Sequence, residues 1–156
     1  MTQPERAPGT QTEVEAHEFD EDDAPLVGIV MGSQSDMPVM EKAGKELEER
    51  GIPYEMQVMS AHRSPDLVAQ YAKGAQERGL RVIIAGAGLA AALPGAVAAH
   101  TELPVVGVPL LSSTSVAGGL DAMLAIAQMP PGVPVACVGV NGAKNAAVLA
   151  ARIIGA

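Results

Sequence analysis

Residues 26–51 read LVGIVMGSQSDMPVMEKAGKELEERG, and the fold is decided there. Leu26 to Met31 carries no polar side chain, the mark of a strand covered on both faces rather than one. A short polar turn follows, Gly32 to Asp36, and then Met37 to Arg50 has helix-forming charge pairs such as Glu41 with Lys45 until Gly51 stops it. The same unit recurs along the chain. Tyr54 to Met59 reads as a strand before a helix at Pro65 to Arg78 that Gly79 ends, and Val82 to Ala85 as a strand before a helix from about Pro94 to His100. Pro104 to Val108 precedes a loop rich in Ser and Gly and a helix at Leu120 to Gln128; Val133 to Val140 precedes a closing helix at Ala143 to Ile154. Five βα units in series predict an α/β fold with a central parallel sheet of about five strands and helices on both faces.

The chain has 156 residues, enough for one domain with a single core. At 48% hydrophobic and 18% charged, it is not a disordered or collagen-like polymer. A formal charge of -8 argues against nucleic acid and other polyphosphate partners. That charge is concentrated: residues 1–24 hold eight acids against Arg6, net -7, and residues 25–156 hold ten acids against nine bases, net -1. Residues 1–24 therefore read as an acidic, disordered tail without the apolar core of a secretory signal, and 25–156 as a single α/β domain. His17 reads as a chance member of that tail. Cys137 is the one cysteine, so no intramolecular disulfide or ordinary structural zinc site can form, and a reducing, cytoplasmic compartment is expected. Val82 to Ala99 lacks charge for eighteen residues, but Gly86, Gly88, Pro94 and Gly95 break it into strand, loop and helix rather than a membrane span.

In open parallel sheets ligands bind beyond the carboxyl ends of the strands, where the strand order reverses. The loops at those ends are therefore the ones to inspect. Gly32-Ser33-Gln34-Ser35-Asp36 turns a strand into a helix, so its backbone N–H groups and the hydroxyls of Ser33 and Ser35 suit a phosphate. Asp36 suits a ribose diol, while Ser35 or Asp36 merely capping the helix is an equally good reading of that turn. Ser60-Ala61-His62-Arg63 ends the next strand: Arg63 can hold a phosphate or carboxylate by two prongs, and His62 is the best general acid/base in the chain. Gly86, Gly88 and Gly95 narrow the third loop, and with Ala90, Ala91, Ala92 and Leu93 they form an apolar wall; tight packing alone explains them as well. His100 reads as the cap of a helix carboxyl end. No nucleophile elbow and no metal-ligand spacing is present. These residues by themselves leave open a non-catalytic module for a nucleotide or flavin, or a phosphoacceptor domain, although only Phe19, Tyr54 and Tyr71 could stack on a flavin.

GSQSD at 32–36, SAHRSPD at 60–66, GAGLAAALPG at 86–95, GVP at 107–109, QMPPGVPV at 128–135 and NAAVLAARII at 145–154 together resemble the class I catalytic subunit of phosphoribosylaminoimidazole carboxylase, the 5-(carboxyamino)imidazole ribonucleotide mutase family. The resemblance runs from about Val27 to Ile154. It implies a flavodoxin-like three-layer αβα sandwich assembled as a homo-octamer. It implies a step of purine biosynthesis without metal, ATP or biotin, in which the carboxylate on the exocyclic amine of 5-(carboxyamino)imidazole ribonucleotide moves to the ring carbon. A functional link to an ATP-dependent 5-(carboxyamino)imidazole ribonucleotide synthase is implied as well. Carried over by position, Ser33, Asp36 and Arg63 bind substrate and His62 carries the proton; Ser35, Ser60, Gly86, Gly88 and Leu93 complete the expected binding set.

This chain departs from the family pattern, commonly GAGGAAHLPG in the third loop, by Leu89 in place of glycine and Ala92 in place of histidine. Related class II enzymes, which take free carbon dioxide, tend to have lysine after the histidine, so Arg63 and the Leu93-Pro94-Gly95 run favour class I. Between Val82 and Ala143 only Glu102 and Asp121 are charged across sixty-two residues, which predicts extensive contacts between subunits.

Overall fold

The computed structural model describes residues 13–14 and 23–155. Most of the segment 1–24, His17 included, lies outside the described residues. Its Glu13–Val14 forms a two-residue strand, β1, antiparallel to the sheet edge, with Glu13 opposite Gln57 and Val14 opposite Met56.

Five parallel strands make the sheet proper: β2 (Val27–Met31), β3 (Tyr54–Val58), β4 (Val82–Gly88), β5 (Val105–Leu110) and β6 (Ala136–Cys137). Their spatial order is β3-β2-β4-β5-β6, with β1 outside β3. The chain moves one way from β2 to β3 and the other way from β4 onward, so the order reverses at β2 and β4.

Side chains alternate along each strand, and in β2, β4 and β5 both sets are buried. Val27, Ile29 and Met31 of β2, Ile84 of β4 and Val106 and Val108 of β5 face α1 (Met37–Glu49) and α5 (Ala143–Ile154). Ala143, Ala146, Ala147, Ala150 and Ala151 give α5 a flat, fully buried stripe against that layer. Val30, Ile83, Ala85 and Ala87 face the other layer, α2 (Pro65–Ala75), α3 (Leu93–Ala98) and α4 (Leu120–Ala127). This is the three-layer αβα sandwich predicted from the uninterrupted apolar runs.

Three boundaries differ from the sequence reading for physical reasons. β4 continues through Gly86 and Gly88, which read as a loop in the sequence. A Cβ at Gly86 would lie 2.5 Å from Met40 Sδ, and one at Gly88 would lie 2.9 Å from the Leu110 carbonyl oxygen, so both glycines admit close packing inside a strand. β6 shrinks from 133–140 to two residues. Pro134 supplies no ladder N–H, and Asn141 N–H turns back to the Pro109 carbonyl at 2.8 Å. α2 stops at Ala75, three residues early, where Leu80 N–H bonds the Ala75 carbonyl at 3.1 Å across Gly79, whose φ is +95°.

One buried polar group sits at the β2/β3 pairing. Glu55 stands opposite Gly28 in register, and the missing side chain of Gly28 makes room for the Tyr71 hydroxyl, which donates to Glu55 Oε1 at 2.9 Å. Arg78 closes the cluster with Nη1 donating to Glu55 Oε2 at 3.0 Å and its guanidinium carbon 5.1 Å from the Tyr71 ring centre. Among the described residues, no helix is long and apolar enough to cross a membrane.

Candidate active site

Three loops leave the carboxyl ends of β2, β3 and β4 side by side, because those strands are neighbours at the point of reversal. They enclose a cleft of about 490 Å³. The first loop contributes Gly32, Ser33, Ser35 and Asp36; the second, Ser60, Ala61, His62 and Arg63; the third, Ala87 through Leu93.

The first loop is held by its own polar groups. Ser33 N–H donates to Asp36 Oδ2 at 3.1 Å and Ser33 Oγ accepts from Ser35 N–H at 3.3 Å, a capping box on the 3-10 turn that leads into α1. The two serine hydroxyls lie 2.9 Å apart. A cap is present, but Ser33 makes it on the 3-10 turn, and Asp36 at the start of α1 makes no side-chain cap bond to that helix; the Ser33 N–H holds the Asp36 carboxylate in the cleft wall while Oδ1 has no hydrogen-bond partner among the described residues. Burial raises the Asp36 carboxyl above its ordinary value, and the Ser33 N–H opposes that rise.

The second loop is pinned at its start. Met59 N–H continues the β2 ladder to the Met31 carbonyl at 2.7 Å, Ser60 Oγ accepts from Arg63 N–H at 3.1 Å, and Ser64 N–H returns to the Ser60 carbonyl at 2.9 Å. Pro65 then starts α2 with φ already set for a helix. These bonds fix the backbone without engaging the imidazole of His62 or the guanidinium of Arg63. His62 and Arg63 are exposed, and among the described residues no hydrogen-bond or ion-pair partner engages the imidazole or the guanidinium. A free two-pronged cation and a free imidazole in one cleft can hold an anion and exchange a proton with its neighbour.

Of the nine residues singled out from the sequence, Ser33, Ser35, Asp36, Ser60, His62, Arg63, Gly88 and Leu93 line this cleft. Gly86 does not; its absent side chain faces Met40 of α1, which makes it a packing residue. Ser112, from the loop after β5, lines the cleft and is one that sequence reasoning misses. Its signal is the hydroxyl run Ser112-Ser113-Thr114-Ser115 directly after a strand. His100 caps α3, its Nδ1 donating to the Ala96 carbonyl at 2.9 Å. Cys137 sits in β6, where burial pushes its thiol up and away from reactivity. Among the described residues, no group of three or more His, Cys, Asp or Glu could hold a metal ion.

A parallel sandwich with polar hydroxyls, one carboxylate, one guanidinium and one imidazole at its switch point defines a small-molecule enzyme of the α/β class. Comparison with known proteins narrows the class. The chain belongs to the AIR carboxylase family, whose profile matches residues 26–156. It is 60% identical over 131 residues to the N5-carboxyaminoimidazole ribonucleotide mutase of Thermotoga maritima, covering 84% of this chain and 75% of that protein. It is 57% identical over 130 residues to the chloroplastic phosphoribosylaminoimidazole carboxylase of Vigna aconitifolia, covering 83% of this chain but 23% of that longer one. Among solved structures, Treponema denticola PurE superposes with a TM-score of 0.73 at 37% identity, over 84% of this chain and 80% of that one.

Proposed function

We propose that this protein is the mutase of purine biosynthesis that converts 5-(carboxyamino)imidazole ribonucleotide into 4-carboxy-5-aminoimidazole ribonucleotide, with His62 as general acid and base. The observation that carries this reading is the meeting of His62, Arg63, Ser33 and Asp36 in one cleft of a chain 60% identical to a protein of that name. The backbone and hydroxyls of the first loop, with Arg63, suit the phosphate; the Asp36 carboxylate suits the ribose diol.

Chemistry follows from the residue types. His62 protonates the exocyclic nitrogen, the N–C bond breaks, and its electron pair stays on nitrogen as carbon dioxide departs. The ring carbon of the electron-rich aminoimidazole then attacks the same carbon dioxide. Loss of the proton on that tetrahedral carbon to His62 restores aromaticity, so the proton count closes over one turnover. Carbon dioxide has no charge to grip, and its capture depends on confinement beside the ring. Ala90, Ala91, Ala92 and Leu93 supply an apolar boundary for that purpose.

The cleft belongs to an assembly in this reading, a homo-octamer. Support comes from Leu111, Val116, Leu120 and Leu124, large apolar side chains exposed on the loop after β5 and on α4, within the stretch that carries two charges in sixty-two residues. The mass of a single chain by light scattering in dilute buffer overturns the assembly. The reading also puts the enzyme in the cytoplasm, downstream of an ATP-dependent synthase that makes its substrate; the Vigna relative's additional length is compatible with a fused partner. The deciding experiment is complementation of purine auxotrophs that possess or lack that synthase, together with direct assay of the purified protein. Growth only with the synthase, and conversion without added bicarbonate, is the expected outcome. Growth without it marks a direct carboxylase, and growth in neither removes the activity.

A further inference from the structure

Gly88 ends β4, and the turn that follows is closed by Ala91 N–H donating to the Gly88 carbonyl at 2.9 Å. Two non-glycine residues in that turn have left-handed backbone, Leu89 with φ of 55° and Ala91 with φ of 36°. A Cβ in that region crowds the following carbonyl, so a leucine there is strained wherever it occurs. Leu89 carries a second unfavourable feature, since 44% of it is exposed. The other large exposed apolar residues, Leu111, Val116, Leu120, Leu124 and Ile153, do not line the catalytic cleft, and Leu89 does.

A strained, solvent-facing leucine at the mouth of a ligand cleft makes physical sense if a ligand covers it. We infer that Leu89 is a covering residue: its side chain packs on the apolar face of the bound aminoimidazole and closes the exit through which carbon dioxide would leave between its release and its recapture. This rests on the proposed mutase reading, because the partition it controls arises only where carbon dioxide is freed, and it is particular to this chain, since the family pattern has glycine where Leu89 stands. Leu89 touches no proton in transit. Its effect is on the partition of the intermediate, forward to the ring-carboxylated product or out to free 5-aminoimidazole ribonucleotide and dissolved carbon dioxide.

The test uses the full chain and substrate labelled in the migrating carboxylate, in buffer containing unlabelled bicarbonate. Label retained in the product and free 5-aminoimidazole ribonucleotide are both measured, with assembly mass by light scattering. Wild type is expected to keep its label. Leu89→Gly relaxes the backbone and removes the cover, so leakage should rise about tenfold, the scale of losing part of a leucine's apolar contact. Leu89→Asn separates the two causes, because asparagine tolerates left-handed backbone but offers a polar tip; it should leak like the glycine variant. Leu89→Met restores an unbranched apolar cover and should hold leakage within about twofold of wild type. Unchanged label retention in Leu89→Gly overturns the inference while leaving the mutase reading intact. So does a changed assembly mass with unchanged retention, which would make Leu89 a contact between copies. Leakage in Leu89→Gly but not Leu89→Asn also overturns it, by assigning the effect to loop flexibility. A wild-type protein that does not convert the substrate overturns both readings.

Discussion

Arg63 and Arg78 stand at opposite ends of α2, and their surroundings differ completely. Arg78, though half-exposed, is fully partnered: two nitrogens meet the carboxylate of Glu55, itself 8% exposed, while Tyr71 donates to the same carboxylate and lies under the guanidinium. Arg63 lies open in the cleft with no partner among the described residues. A buried carboxylate left alone is destabilising, so the first cluster must be complete within the chain. An unpartnered cation costs little while water solvates it, and it becomes useful when an anion arrives. Closure marks a polar group that serves the fold, and openness one that serves a ligand.

The largest effect expected from this contrast lies beside Arg63. His62→Asn should lower interconversion by about 10³-fold, the scale of losing a general acid/base, while ribonucleotide binding and Tm stay near wild type. Near-normal turnover by steady-state assay would remove histidine from the role. The two arginines then separate by readout. Arg63→Ala should weaken ribonucleotide binding by roughly 10- to 100-fold in titration calorimetry without moving Tm. Arg78→Ala should do the reverse, destabilising by roughly 1–2 kcal/mol once the solvent screening of its half-exposed head is allowed for, with affinity unchanged. Coincident losses of affinity and stability in both variants would break the comparison.

Gly86 tests the same distinction inside a strand. It lies two residues from Gly88 on the same face of β4, yet only Gly88 reaches the cleft. Gly86→Ala drives a methyl toward the fully buried Met40 and should destabilise by about 1–3 kcal/mol. Ribonucleotide affinity should be unaltered, and a selective loss of affinity would return Gly86 to the site.

The readable parts of this molecule are those set by neighbours in sequence. β2 and the start of β4 are legible because a strand covered on both faces has no need of polar positions, and the polar loops stand out against them. Gly86 is misplaced by the sequence reading because a glycine that breaks a strand and a glycine that admits Met40 look the same in one dimension. Ser112 escapes it because its loop is oriented from thirty residues away, where Asn141 Oδ1 accepts from Leu111 N–H at 3.0 Å. The left-handed turn at Leu89 is likewise invisible in composition, since leucine is not a residue that announces such a backbone.

Asp36 belongs to neither extreme, and its pH dependence gives the smallest and sharpest prediction. It is capped by Ser33 N–H on one oxygen and lines the cleft. Burial raises its carboxyl above the ordinary 3.8, so just above that pH the folded chain holds a proton that the unfolded chain has released. The stability this group contributes is therefore fully present below the unfolded value and is lost as pH rises through the folded one. Affinity runs the other way: a ribose diol donates to the carboxylate, so binding strengthens as the same proton leaves. Thermal unfolding and titration calorimetry across this acid window should show Tm and affinity moving in opposite directions through one group. Asp36→Asn, which cannot ionise, should remove this group's share of both slopes. If it removes the stability slope alone, Asp36 is a cap that happens to face the cleft, and the diol must be held elsewhere.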